Sequence, residues 1–280
     1  MKKLSVIIAI FFFIYGSVFA QLNTNNALSR MDSAIELSQE EFTMQDSYFL
    51  GRTVAAHILS NFKLYYDSSM IRYLNLICYT LAINTSVPDW FNGYHVMILD
   101  DLSVNAFSTS GGHIFLSRGF LDIVTSEDML ASIIAHELAH IQLQHSIGEL
   151  KHIRFTQQLS ADRNRMSRNA RGAQNEAFTE SIGQMVDALF SRGYSQLQEF
   201  EADSAAYAML AASGYNPDSL IDLLRIIDKT TGNKTAALNT SHPLPMQRIA
   251  NLEKQKTSFQ RINNSAVRTD RFNSIMKRSN

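Results

Sequence analysis

The stretch His136-Glu137-Leu138-Ala139-His140 holds three side chains able to do chemistry together. On a helix, residues four apart lie about 40° apart around the axis, so both imidazoles project from one face. Two neutral imidazole nitrogens one turn apart can share a Zn²⁺ ion at about 2.1 Å. Glu137 is displaced around the helix, where its carboxylate reaches a water beside the ion rather than the ion itself. Two ligands plus a base is the arrangement of metal-assisted hydrolysis. Met129, Leu130, Ile133, Ile134, Leu138, Ile141 and Leu143 make the rest of the segment apolar. A glutamate buried there between two histidines is costly without a cation. Iron also accepts two histidines and a carboxylate, but the glutamate in the base position favours hydrolysis over zinc.

A catalytic zinc needs a third protein ligand and a fourth position open to water. His145, five residues beyond His140, falls off the shared face. The three-histidine pattern needs glycine at 143 and histidine at 146, where this chain has Leu143 and Ser146. Glu199-Phe200-Glu201-Ala202-Asp203 serves better, because Glu199 and Asp203 are four apart and share a helical face. Glu199 can complete the ligand set of His136 and His140. Asp203 can accept the second ring N–H of a ligand histidine, His136, fixing its tautomer. Glu201 points the other way and reads as a surface ion-pair residue.

Elements must hold these groups in place, and the rest of the chain says which. Four prolines and twelve glycines in 280 residues, with long periodic apolar runs, point to a helix-rich fold. Helical patterns cover Ala27 to about Asn61 and Ser69 to about Asn84, before Pro88. The period then changes to that of strands at His95–Asp100 and His113–Leu116, with Gly111-Gly112 as a turn. Thr125 or Ser126 caps the histidine helix, which is expected to run to about Lys151. The Glu199 helix is expected from Ser195 to about Ser213, closed by Gly214, followed by a helix opened by Pro217 that runs through Ile227 and a short one after His242-Pro243. Residues 161–180 are polar and arginine-bearing and read as a solvated helical face, with a mobile flap as the alternative. Residues 256–280 read as a basic, flexible tail. Cys78, the single cysteine, can form no intrachain disulfide and reads as a buried packing residue.

The first twenty residues stand apart. Lys2 and Lys3 precede an apolar run from Leu4 to Tyr15, and Val18-Phe19-Ala20 offers small side chains for a signal peptidase. Residues 1–20 are therefore expected to be an export signal, leaving a soluble protein from Gln21, with 21–255 as its catalytic domain. A formal charge of -1 gives no basic surface for nucleic acid.

Four separated segments resemble the gluzincin zinc metallopeptidases of the CAAX prenyl endopeptidase and HtpX type, and within them the soluble periplasmic BepA-like members. They are Asn105-Ala106-Phe107 leading to Gly111-Gly112-His113-Ile114-Phe115-Leu116; the His136–His140 helix with its trailing His145; Glu199–Asp203; and His242-Pro243 with Arg248-Ile249. Gln196 stands where the family often has arginine. The resemblance implies an α+β, mostly α, zincin-like domain whose small sheet borders the cleft with an edge strand, and hydrolysis of peptide bonds inside polypeptides with one Zn²⁺ per chain. It brings His242 near the metal, as oxyanion stabiliser or as occupant of the fourth position in a latent enzyme, and makes Arg248 a partner for Asp203 or a substrate carbonyl. It also implies that Asn105, Gly112, His113, Ile114 and Phe115 bind substrate, His113–Leu116 being the edge strand. The envelope of a Gram-negative cell is the implied location, with quality control of envelope proteins as the implied role. The basic tail offers a contact for an anionic membrane surface. A non-catalytic chaperone or adaptor on the same fold is the rival reading.

Overall fold

The computed structural model describes residues 41–160, 180, 183, 184, 187, 193–231, 242, 245–255 and 265–276. Two compact units are distinguishable. Phe42–Gly148 with Ile182–Asn280 carries the site, and Met1–Glu41 with Glu149–Ser181 forms the other. The expected export signal, residues 1–20, and most of the polar 161–180 stretch lie outside the described residues.

Helix α1 spans Met44–Asn61 and begins in a reciprocal cap between Thr43 and Asp46. Helix α2, Ser68–Ala82, is capped by Asp67, whose carboxylate accepts from the amides of Ser69 and Met70. Its buried face, Tyr73, Leu74, Ile77, Cys78 and Leu81, repeats every three or four residues, as a helix lying on a core requires. Burial pushes the Cys78 thiol up to about 12, in keeping with a packing residue.

The sheet has three strands, β1 (His95–Leu99), β2 (Ala106–Ser108) and β3 (His113–Ser117), in the order β1-β3-β2. β1 runs parallel to β3 in the register His95–His113, and β2 antiparallel to it with Phe107 opposite Phe115. The edge-strand expectation for His113–Leu116 is therefore corrected. β3 is central, its backbone groups are engaged on both sides, and β2 is an edge. The short β2 was hard to foresee, since three residues carry no measurable alternation. Gly112 turns the chain between them at φ +85°, a conformation that side-chain-bearing residues seldom adopt. Gly51 of α1 presses on the same turn, where an added Cβ would stand 1.9 Å from the Gly111 nitrogen.

After the short helix α3 (Arg118–Ile123) comes α4, Glu127–Gln142, with the Ser126 hydroxyl accepting from the Met129 amide. It stops about nine residues short of the expected end at Lys151. Gln144 takes φ +55°, and a new helix, α5, starts at His145 and runs to Ser160. Left-handed backbone breaks the hydrogen-bond ladder, and without a glycine at 144 the sequence gives no sign of it. Helix α6, Gln196–Ala212, opens with the Ser195/Gln198 capping box and packs along α4. Helices α7 (Asp218–Thr231) and α8 (Pro245–Glu253) cover α4 and α6.

The last helix, α9, spans Ser265–Met276 and corrects the expectation of a flexible tail for that part of it. Phe272 is buried in the core, Arg271 grips Glu127 and Arg268 pairs with Asp128. The basic residues answer the two acids in the first turn of α4, a match across about 140 residues that local reading does not reveal. Among the described residues, no helix is long and apolar enough to cross a membrane.

Candidate active site

Helix α4 is buried from Met129 to Ile141, so its polar groups must find partners inside the protein. His136, Glu137 and His140 are each 1 % exposed or less. α6 brings Glu199 and Asp203, both fully buried, against the same face. His242 and Arg248 close it from the C-terminal side.

The donors draw together tightly. His136 Nε2 stands 3.1 Å from His140 Nε2 and 3.3 Å from His242 Nδ1. Glu199 Oε1 lies 3.1 Å from His242 Nδ1 and 3.6 Å from His140 Nε2, and Glu199 Oε2 lies 3.5 Å from His136 Nε2. Four donors placed tetrahedrally at about 2.1 Å from one ion stand about 3.4 Å apart. The separations observed scatter around that value, and all four ligand atoms lie within 4.8 Å of one another.

Charge points the same way. Glu137, Glu199 and Asp203 are three buried carboxylates, and Arg248 is the permanent cation they share. Arg248 donates from Nε and Nη2 to the two Asp203 oxygens at 2.8 and 2.7 Å, and its Nη1 stands 2.8 Å from Glu199 Oε2. Two negative charges are left over, which protonated histidines or one divalent cation would balance. These residues fit a zinc ion by spacing, donor type and charge.

Protonation is arranged around this excess. Burial opposes the ionised form of Glu199, but Arg248 and His242 outweigh it and hold the carboxyl well below its usual range. Burial is likewise outweighed at Asp203, chiefly by Arg248, and at Glu137 by His242, with His136 and the Ser108 hydroxyl assisting. Burial and the positive charge of His136 keep His140 neutral, the state in which an imidazole binds metal. His242 goes the other way: burial would lower it, but Glu199 and Glu137 raise it to about 10.

The expected pairing of Asp203 with His136 is present, Oδ1 to Nδ1 at 3.1 Å, leaving Nε2 turned to the other donors. Glu137 has His242 Nε2 at 3.2 Å from Oε1, yet neither carboxylate oxygen makes a well-directed hydrogen bond. A buried acceptor without a directed partner is uncommon in folded proteins and marks Glu137 as a group with a role beyond packing. Arg248 is 4 % exposed and engaged by carboxylates, so a direct contact with a substrate carbonyl is not available to it. Gln196, where the resemblance has arginine, donates to Gln247 on α8.

The five residues expected to bind substrate lie in the sheet or beside it. Asn105 Oδ1 accepts from the Ala106 amide, and its carbonyl accepts from Ser117. Gly112 makes the turn, His113 Nδ1 meets the Thr109 hydroxyl at 2.9 Å, and Ile114 and Phe115 are fully buried at 0 % exposure. Two neighbours of the site, Tyr194 and Ser108, were not foreseen, and His145, set aside as a ligand, stands beside it. Tyr194 stacks on His140, ring centroids 4.0 Å apart and planes 16° from parallel. Ser108, on the edge strand β2, sits beside Glu137. His145 meets His140. Tyr194 and Ser108 lie in segments without periodicity, so only the assembled fold gives them a role.

Residues 69–256 match the profile of Peptidase family M48. The chain is 24% identical over 159 residues to "Metalloprotease YcaL" of Escherichia coli (strain K12), covering 57% of this chain and 60% of that protein. It is 23% identical over 219 residues to "Beta-barrel assembly-enhancing protease" of Yersinia pestis, covering 75% and 43%. With "Mitochondrial metalloendopeptidase OMA1" of Schizosaccharomyces pombe it shares 27% over 166 residues, covering 57% and 46%. The chain thus spans roughly half the length of these relatives. The family profile covers about two thirds of the chain, including the described helices from α2 to α8 that carry the buried donors, and the chain belongs to peptidase family M48.

Proposed function

We propose that this chain is a zinc-dependent endopeptidase with His136, His140 and Glu199 as protein ligands and Glu137 as general base. The observation that carries this reading is the tetrahedral spacing of the donors around a charge deficit of two, with an unsatisfied carboxylate alongside. A bound zinc ion would polarise the scissile carbonyl and acidify an attacking water. Glu137 takes the proton of that water and passes it to the departing amine. Asp203, itself fixed by Arg248, holds His136 in the tautomer that presents Nε2. β2, an edge strand next to the site, offers backbone groups to an extended polypeptide, the part first assigned to β3.

His242 fits the fourth ligand position in the resting protein. Its Nδ1 keeps ligand spacing to Glu199 and His136, so a substrate has to displace it and the enzyme is latent until one arrives. The same observation favours a second reading, in which a permanently closed site leaves a chaperone or adaptor. Export through residues 1–20, a periplasmic location and a role in envelope-protein quality control complete the proposal. They are supported by the signal-like N-terminus and by similarity to a relative named for assisting β-barrel assembly.

The test is zinc content and casein cleavage of the protein beside its Glu137→Gln variant. One zinc per chain in both, with cleavage by the parent alone, supports the peptidase and its base. Zinc in both and cleavage in neither favours the closed site. No zinc in either after reconstitution ends the proposal.

A further inference from the structure

His136 and His140 are equivalent in sequence, yet only His136 has a carboxylate on its second nitrogen. His140 Nδ1 instead meets His145 Nδ1 at 2.8 Å, and His145 Nε2 lies 3.3 Å from Glu201 Oε2. His145 is 6 % exposed and the Glu201 side chain is about half exposed, so the chain of contacts runs from the buried donors to the surface. It exists because α4 stops at Gln142. The left-handed Gln144 swings His145 back towards His140, which an uninterrupted helix would not allow.

One proton assignment satisfies every contact. His140 Nε2 belongs to the metal-capable group, 3.1 Å from His136 Nε2, so Nδ1 carries the hydrogen and donates. His145 Nδ1 must then be the acceptor, its own hydrogen sits on Nε2, and that hydrogen points at the Glu201 carboxylate. Each link fixes the tautomer of the one before it. A ligand histidine whose remote N–H is held this way keeps its ring orientation and gains basicity.

We propose that His145 and Glu201 are positioning residues for His140, a relay that prepares this ligand for zinc as Asp203 prepares His136. The proposal rests on the metallopeptidase reading. Its test is zinc affinity, measured by competition with a chromophoric chelator on the full protein, together with the visible absorption spectrum of the Co²⁺-substituted form. His145→Ala removes the acceptor and is expected to weaken zinc binding by about 10–100-fold and to alter the cobalt bands. His145→Asn offers Oδ1 where Nδ1 stood and should bind close to the parent. Glu201→Ala, a change at a half-exposed position, should weaken zinc by a smaller factor without disturbing the fold, and so decides the matter even if His145→Ala does not fold. Equal affinities and superposable cobalt spectra in the parent, His145→Ala and Glu201→Ala overturn the relay while leaving the metallopeptidase intact. A parent that takes up neither metal overturns the metallopeptidase reading and the relay with it.

Discussion

Arg271 of α9 closes on Glu127, the first residue of α4, with Nε donating to one carboxylate oxygen at 2.6 Å and Nη2 bonded to the other. Tyr73 of α2 donates to the same carboxylate at 2.9 Å. Glu127 is buried, so this contact ties the C-terminal helix to the start of the helix that carries His136 and His140. Breaking a buried pair from one side costs about 3–5 kcal/mol, because the remaining charge stays desolvated. Arg271 is partly exposed, which moves the expectation for Arg271→Ala to the lower end of that range. Urea denaturation should show it, and Glu127→Gln in the same background should restore part of the loss. An unchanged midpoint in Arg271→Ala would mean that α9 does not brace α4.

Glu137→Gln keeps the shape of the site and removes the proton acceptor. General-base catalysis contributes about 10²–10⁴-fold, so cleavage of casein should fall by at least that while zinc stays near one per chain. Loss of zinc together with activity would make Glu137 a ligand or a structural residue.

The histidine helix, its Glu137 and the face shared by Glu199 and Asp203 were legible because each depends on spacing within one helix. Packing across elements was less so. That His113–Ser117 is central rather than an edge follows from β2, three residues too short to announce themselves. That α4 breaks at Gln144 follows from a left-handed backbone carried by a residue that does not advertise it. The docking of α9 needs Arg268 and Arg271 to meet Asp128 and Glu127, and a one-dimensional reading sees only a basic tail. Wherever a role is set by contact between distant segments, as for Tyr194 on His140, periodicity is silent.

His242→Ala separates the two parts offered to that residue. As occupant of the fourth position it restrains the enzyme, and its removal should raise basal cleavage of an unfolded substrate. As oxyanion stabiliser it would instead be needed, and the variant would lose activity by about 10²–10³-fold. Steady-state cleavage rates at matched zinc content distinguish the two, and we expect the rise.

His113 gives the fold a pH dependence of known sign. Burial, then the neighbouring His95 and Arg52, lower it from 6.5 to about 4. Between those values the unfolded chain binds a proton that the folded one refuses, so stability rises with pH. The contribution is complete above about 6.5 and is lost as pH falls through about 4. His113→Gln, which keeps a polar group near Thr109, should flatten the slope of unfolding free energy against pH within that window. An unaltered slope would place the dependence on other groups.

Gly51→Ala tests the close approach of α1 to the β2–β3 turn. The new methyl would lie 1.9 Å from the Gly111 nitrogen and 2.8 Å from the Ser110 carbonyl carbon, both backbone atoms that no rotamer change relieves. Either α1 moves away or the turn does. Overpacking of this kind costs about 1–3 kcal/mol, and more where backbone must shift, whereas alanine in an open helix position stabilises by roughly 1 kcal/mol. The sign alone therefore decides. A lowered melting temperature in Gly51→Ala, beside an unchanged or raised one for Gly183→Ala, whose added Cβ meets nothing within 4 Å, is the expected result. Because the turn joins β2 to β3 and β2 carries Ser108 next to Glu137, cleavage should drop further than the loss of folded protein explains.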